Sequence, residues 1–125
     1  MMSIKNQKMV KAVNYDVIIA GGGAAGCMAA VRSSLSDRIT LVIEPNKRLG
    51  RKLMITGKGR CNVTNDCSVE ELMNNIPVNP KFLYSAFSEY SSYDTMTFFE
   101  MAGVPLKTER GNRVFPVSDK AEDIV

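Results

Sequence analysis

The stretch Tyr15–Glu44, YDVIIAGGGAAGCMAAVRSSLSDRITLVIE, constrains the fold more than any other part of this chain. An apolar run, Val17–Ala20, leads directly into Gly21-Gly22-Gly23-Ala24-Ala25-Gly26. A small-residue segment of helical character follows. A second apolar run, Ile39–Ile43, then stops at an acid, Glu44. Strand, glycine turn, helix, strand and acid, in that order, make a dinucleotide-binding βαβ unit.

Each part has a physical role. Gly21 permits the tight turn out of the first strand, and Gly23 has no Cβ to keep a pyrophosphate away. Gly26 lets the helix lie close on the strand, and Ala30 keeps that contact narrow for another turn. The first helical N–H groups and the helix dipole favour phosphate oxygens. Glu44 stands where a carboxylate accepts hydrogen bonds from the adenosine ribose. A 2′-phosphate would meet a like charge there, so FAD or NAD fits better than NADP.

Composition narrows the choice of function. The chain has 125 residues and a net charge of +3, from sixteen basic and thirteen acidic residues, which is too mild to imply nucleic-acid binding by itself. No apolar run is long enough to span a bilayer, so no membrane role is expected. The first fourteen residues read as a flexible basic leader rather than a signal peptide. The absence of histidine removes any His base or His metal ligand within this stretch. Cys27, Cys61 and Cys67 form neither a disulfide framework nor a zinc pattern, so no metal is expected and a reducing cytoplasm fits. Cys27 reads as a packed helical thiol.

After Glu44 the character changes. Residues 45–67 read as an ordered loop with one short turn of helix, carrying Lys47, Arg48, Arg51, Lys52, Lys58 and Arg60, with no acid from Pro45 to Asn65. Gly50, Gly57 and Gly59 intersperse these charges, and Thr56, Cys61, Asn62, Thr64 and Asn65 add small polar groups. Such a segment suits a second wrap around a phosphate-bearing ligand.

Residues 68–103 read as helical. Ser68 and Glu71 form a capping box, Pro77 blocks continuation, and Asn79-Pro80 reads as a cap and first turn for a helix over Lys81–Tyr90. A further helix carries Met96, Phe98, Phe99 and Met101 and ends at Gly103 as its C′ residue. The apolar stripe of Phe82, Leu83, Ala86, Phe87 and Tyr90, continued by those four, reads as core. Residues 104–117 read as a hairpin turning at Arg110-Gly111-Asn112, with Pro105 and Pro116 at edge positions. Ser118-Asp119 reads as the cap of a helix beginning in residues 118–125.

The segments GGGAAGCMAA, LVIEPNKRLGRKLMITGKGRCNVTN and FLYSAFSEYSSYDTMTFFEMAGVPLKTERGNRVFPVSDKA together resemble the start of one family of NAD(P)/FAD-dependent oxidoreductases. Its members carry labels such as aminoacetone oxidase-like or dehydro-bile acid reductase-like. ITGKGRCNVTN is more specific than the glycine fingerprint, and the resemblance spans nearly all of the chain after the leader. It implies an α/β fold: a partial, truncated Rossmann-type FAD-binding domain of the glutathione-reductase kind over 15–125, with a helical and hairpin insertion. By that resemblance Gly21, Gly23, Ala24, Ala25 and Gly26 hold the FAD pyrophosphate and Glu44 the adenosine ribose. The segment Lys52–Asn65, with Gly57, runs along the pyrophosphate and ribityl chain, and Arg60, Cys61, Asn62 and Thr64 are the closest candidates to the flavin.

The expected function is that of the FAD-binding portion of a flavin-dependent oxidoreductase, with hydride transfer through the flavin and NAD(P)H as electron donor in the full-length family. Lys52 or Arg60 would stabilise the reduced flavin by charge. A small-molecule substrate and a homo-oligomer covering an open sheet edge are the expected partners, with no nucleic acid. No catalytic acid or base stands out. Redox-active Cys61 is disfavoured against a small residue packed in a tight loop. Two rivals remain: a non-catalytic nucleotide-binding or assembly module, and a nucleic-acid binder using the basic loop.

Overall fold

The computed structural model describes residues 13–125, so the leader expected over 1–14 lies almost wholly outside the described residues. The chain divides into two compact units, Met1–Pro45 and Asn46–Val125.

In the first unit, strands β1 (Val17–Ala20) and β2 (Thr40–Ile43) pair in parallel, and helix α1 (Ala24–Ser34) connects them and packs on both. Val17 pairs with Thr40 and Ala20 with Ile43. Paired residues of parallel strands share a side, so Val17, Ile19, Thr40 and Val42 form one face. That face is half-buried and carries Ile19, which meets Gly26 of α1. Ile18, Ala20, Leu41 and Ile43 form the other, where Ile18 is 61% exposed. Ile39, expected inside β2, lies just before it. Its carbonyl accepts from Asp16 and Val17, and its N–H donates to the Asp16 carboxylate.

The second unit contains a three-stranded antiparallel sheet in the order β3 (Thr64–Asn65), β5 (Arg113–Pro116), β4 (Leu106–Glu109). The hairpin expected from sequence is β4–β5. It turns through Gly111 and Asn112, both left-handed at φ 76° and 57°. The segment expected to be an ordered loop with one short turn of helix holds a 3-10 turn over Leu53–Gly59 and also strand β3, whose ladder Val63 N–H extends to the Val114 carbonyl.

Pro116 corrects an expectation, because β5 is the central strand and not an edge. Pro116 has the same parity as Val114, whose carbonyl faces β3. Strand β3 pairs only with Arg113 and Val114, so it has ended before it could need an N–H from Pro116.

Helix α2 (Val69–Asn74) starts on the expected capping box: Ser68 Oγ accepts from Glu71 N–H, and Glu71 carboxylate accepts from Ser68 N–H. Residues Pro80–Leu83 form a 3-10 turn ahead of helix α3 (Tyr84–Glu89), instead of one helix over 81–90. Asn79 is left-handed at φ 49° and its side chain caps nothing, because an N-cap bond requires extended backbone. Helix α4 (Ser92–Met101) has a second capping box, Ser91 with Asp94. It ends in a Schellman motif, with Gly103 N–H bonded to Glu100 O and Val104 N–H to Phe99 O.

The aromatic stripe is not the core. Phe82 is 79% and Met101 84% exposed, and Ala86 and Tyr90 are exposed too, while Leu83, Phe87, Met96, Phe98 and Phe99 are half-buried. The buried centre is Cys61, Val114, Phe115, Pro116 and Ala121. The sheet claims it because β5 is covered on both sides, whereas α3 is too short to bury a continuous face. Burying a side chain such as Val114 or Phe115 contributes about 2–3 kcal/mol. The expected cap at Ser118-Asp119 is also displaced: a 3-10 turn runs over Ala121–Ile124 from Lys120, and Asp119 is left-handed at φ 58°.

Candidate functional site

The glycine turn of the first unit is built as its sequence requires. Gly21 has φ 100°, a left-handed value that a side chain resists, and its N–H closes the parallel ladder onto Ile43 O at 2.8 Å. Gly22 is buried and donates its N–H to Glu44 Oε2 at 2.8 Å, tying the acid that ends β2 to the turn that follows β1. Cys27 Sγ donates to Gly22 O at 3.4 Å, so the thiol is packed beneath the turn as expected. Gly23 is the N-cap of α1. Extended backbone, no side-chain cap and no acid in the first turn leave that helix end open to an anion.

The same turn accommodates a pyrophosphate sterically. A Cβ on Gly23 would meet nothing within 4 Å, so the space beside the helix opening is open. A Cβ on Gly26 would lie 1.9 Å from Gly21 O, so helix and strand are in contact with no room between them. Ala24 and Ala25 are exposed at the helix opening. Sequence reasoning passed over Gly22, and the run of three glycines was its only signal.

In the second unit the basic segment divides into exposed cations and half-buried supports around the buried Cys61. Lys47, Arg48, Arg51, Lys52 and Lys58 are exposed. Gly57 packs on Phe115, since a Cβ there would lie 2.7 Å from the ring. With the Asn62 amide turned so that its nitrogen faces the two carbonyls, it donates to Val114 O at 3.3 Å and Thr64 O at 3.2 Å. Thr64 Oγ1 donates to the buried Ser92 Oγ at 3.1 Å. The N–H groups of Arg60 and Cys61 turn inward to Gly57 O and Thr56 O.

Arg60 is held by its own chain. Its Nη1 donates to Glu109 Oε1 at 2.8 Å and Asp119 Oδ1 at 3.1 Å, and its guanidinium lies 4.1 Å from the centre of the Phe115 ring. Lys107 Nζ donates to Asp119 Oδ2 at 2.8 Å and stands 3.5 Å from Glu109. The hydrogen bond from Arg60 holds the Glu109 carboxyl below its ordinary value, and that from Lys107 does the same for Asp119. Lys107 and Glu109 share a strand face by the period of two, which was readable in the sequence. Nothing there pointed to Asp119.

Cys61 is 1% exposed and left-handed at φ 62°. Burial pushes its thiol above the ordinary range, against a smaller opposing effect from Thr56. That environment favours the packed reading over a reactive thiolate. Cys67 is raised as well, by burial first and then by Glu71 and Asp66. Among the described residues no His, Cys, Asp or Glu group is placed to hold a metal, and no helix is long and apolar enough to cross a membrane.

Residues 15–125 match the family described as the HI0933-like protein Rossmann domain. The chain belongs to that family. Its α/β architecture and glycine turn are those of a Rossmann-type nucleotide-binding domain. Over 109 residues it is 31% identical to a 3-dehydro-bile acid delta(4,6)-reductase of Clostridium scindens, covering 86% of this chain and 26% of that protein. It is also similar to ribosomal RNA dihydrouridine synthases. Identity to that of Escherichia coli is 32%, covering 89% of this chain and 27% of the relative. For that of Haemophilus influenzae it is 29%, covering 86% and 26%. The chain thus spans about a quarter of the length of the curated relatives it matches.

Proposed function

We propose that this chain carries the FAD-binding site of a flavin-dependent oxidoreductase. The observation that carries the proposal is the 2.8 Å bond from Gly22 N–H to Glu44, which aims a carboxylate into the turn at an uncapped helix N-terminus. In this reading Gly21, Gly23, Ala24, Ala25 and Gly26 bind the pyrophosphate, and Glu44 accepts from the ribose hydroxyls. The segment Lys52–Asn65 belongs to the flavin end of the cofactor, with exposed Lys52 as its cation. The flavin supplies hydride transfer when bound, while the residues of the chain bind and orient it. Calorimetric titration with FAD, NAD and NADP tests the assignment. FAD should bind tightest and NADP weakest, and a colourless protein indifferent to FAD would favour the non-catalytic module.

The relatives' names, a delta(4,6)-reductase and a dihydrouridine synthase, both denote saturation of a carbon–carbon double bond. We propose the same reaction class here: hydride to one carbon and a proton to its neighbour. A second reading concerns the substrate. Five exposed cations between Lys47 and Lys58, with no acid among them, suit a polyanion, and two relatives are named for ribosomal RNA. RNA binding titrated against salt decides this, and no affinity at low salt dismisses it. We also propose a homo-oligomer that covers the open edge of the β1–β2 sheet, which size-exclusion chromatography tests.

A further inference from the structure

Strand β4 is an outer strand of the second unit, and one side of it is unpaired. Lys107 lies opposite Phe115 and Glu109 opposite Arg113, and Val117 N–H continues that ladder to Pro105 O at 2.9 Å. The bonds to β5 therefore run through positions 105, 107 and 109, as they must with Pro116 opposite Leu106 and lacking an N–H. Leu106 and Thr108 turn their N–H and carbonyl groups the other way, where no described strand meets them. Helix α4 touches both β3 and β4, on either side of β5, so it crosses a face of the sheet and not this edge. On the opposite face Arg60 lies over Phe115. An open edge of this kind is a template for another strand.

We propose that β4 is an interface between two copies of this chain: the two strands pair antiparallel about Thr108, with Lys107 of each copy facing Glu109 of the other. Charge selects this partner and this register. Lys107 and Glu109 flank Thr108, one on each side. With Thr108 opposite Thr108, the outward backbone groups of both copies meet as a bonded pair, and each Lys107 stands opposite a Glu109 in the closer, non-bonded pair. A shift to Lys107 opposite Lys107 would set like charges together. A lysine on an edge strand ordinarily discourages pairing, but here the acid of the second copy offsets it. Both side chains keep about a third of their surface exposed, so they are within reach of a neighbour. The cluster they share with Arg60 and Asp119 holds two cations and two anions, so two copies meet there without net repulsion. Every residue involved belongs to the second unit, and none of them is needed for the FAD reading above.

Sedimentation velocity of the purified chain over a concentration series tests this, with Thr108→Pro, Thr108→Ala, Lys107→Glu and Glu109→Lys beside wild type. Wild type should dimerise. Thr108→Pro removes an N–H that β5 does not use, and it should raise the dissociation constant about tenfold or more, because the symmetric pair loses both of its bonds. Thr108→Ala keeps that N–H and should raise it about fivefold at most. Lys107→Glu and Glu109→Lys should each be monomeric, since like charges then face one another. An equimolar mixture of these two should dimerise, since opposite charges face again, and damage to the fold would not be repaired by mixing. A monomeric wild type, a mixture that stays monomeric, or equal weakening by Thr108→Ala and Thr108→Pro overturns the proposal. So does a dimer that survives Thr108→Pro or either charge reversal, which would move the contact to another surface such as the β1–β2 edge. If Thr108→Pro does not fold, the mixture decides: dimers uphold the interface and monomers overturn it. None of these results bears on the FAD reading, which the titration with FAD tests separately.

Discussion

Substituting alanine at Gly23 and at Gly26 separates cofactor approach from helix packing within one turn. At Gly23 the backbone is at φ −78° and an added methyl meets no protein atom within 4 Å. Folding should therefore lose no more than about 1 kcal/mol, the ordinary difference between glycine and alanine at an N-cap. In the FAD reading proposed above, the methyl would nevertheless occupy the space through which a pyrophosphate reaches the helix amides. Forcing one extra carbon into a close contact costs about 1–3 kcal/mol, which is roughly 5- to 150-fold in affinity. At Gly26 the methyl would stand 1.9 Å from Gly21 O and 3.4 Å from Ile19 Cγ2. Real contacts open to at least 3.0 Å, so helix and turn must separate by about 1 Å. That costs about 1–3 kcal/mol of stability as well as affinity. Thermal unfolding followed by circular dichroism, beside calorimetry with ADP and FAD, reads both quantities. Gly23→Ala should lose mainly binding, with a fall in Tm of a few degrees at most, whereas Gly26→Ala should lose both. Undiminished ADP and FAD affinity in Gly23→Ala refutes the placement of the pyrophosphate.

Phe115 is 1% exposed beneath Gly57 and Arg60, so Phe115→Ala should cost the second unit about 3–5 kcal/mol; limited proteolysis should then cut between residues 46 and 125, and resistance equal to wild type would contradict this core assignment. The Asp94, Glu109 and Asp119 carboxyls are depressed in the folded state, so their stabilisation is present above the ordinary carboxylate range and is lost as pH falls through and below it. Acid unfolding of Asp119→Asn should accordingly show a shallower dependence below about pH 4 than wild type; an unchanged acid limb would mean that the ion cluster is not formed in solution. The Cys61 thiol is raised by burial and remains protonated at neutral pH, so an alkylating probe read by mass spectrometry should label Cys27 before Cys61, and the reverse order would revive a redox role for Cys61.

The parts legible in the sequence were those set by local chemistry. Gly21, Gly26 and the apolar runs around them gave the βαβ unit, because a tight turn and a close helix–strand contact admit few other residues. Ser68 with Glu71 gave the start of α2, since a capping box is complete within four residues. The misreadings involved distant partners. Phe82 and Met101 keep helical spacing yet are exposed, because periodicity shows that a face is apolar and not what covers it. Pro116 looked like an edge residue because its tolerance in β5 depends on where β3 ends, fifty residues earlier. Asp119 looked like a cap because its ion pairs with Arg60 and Lys107 leave no local trace.

By itself, then, the sequence determined the glycine turn, the acid that follows it and the βαβ order around them, all of which obey steric rules acting over a few residues. Tertiary structure alone decided that Gly22 bonds Glu44, that β5 is the buried centre of the second unit, and that Arg60 pairs with carboxylates 49 and 59 residues away. The physical reason is one of range: backbone sterics act between chain neighbours, whereas burial and ion pairing depend on which remote groups the fold brings within a few ångströms.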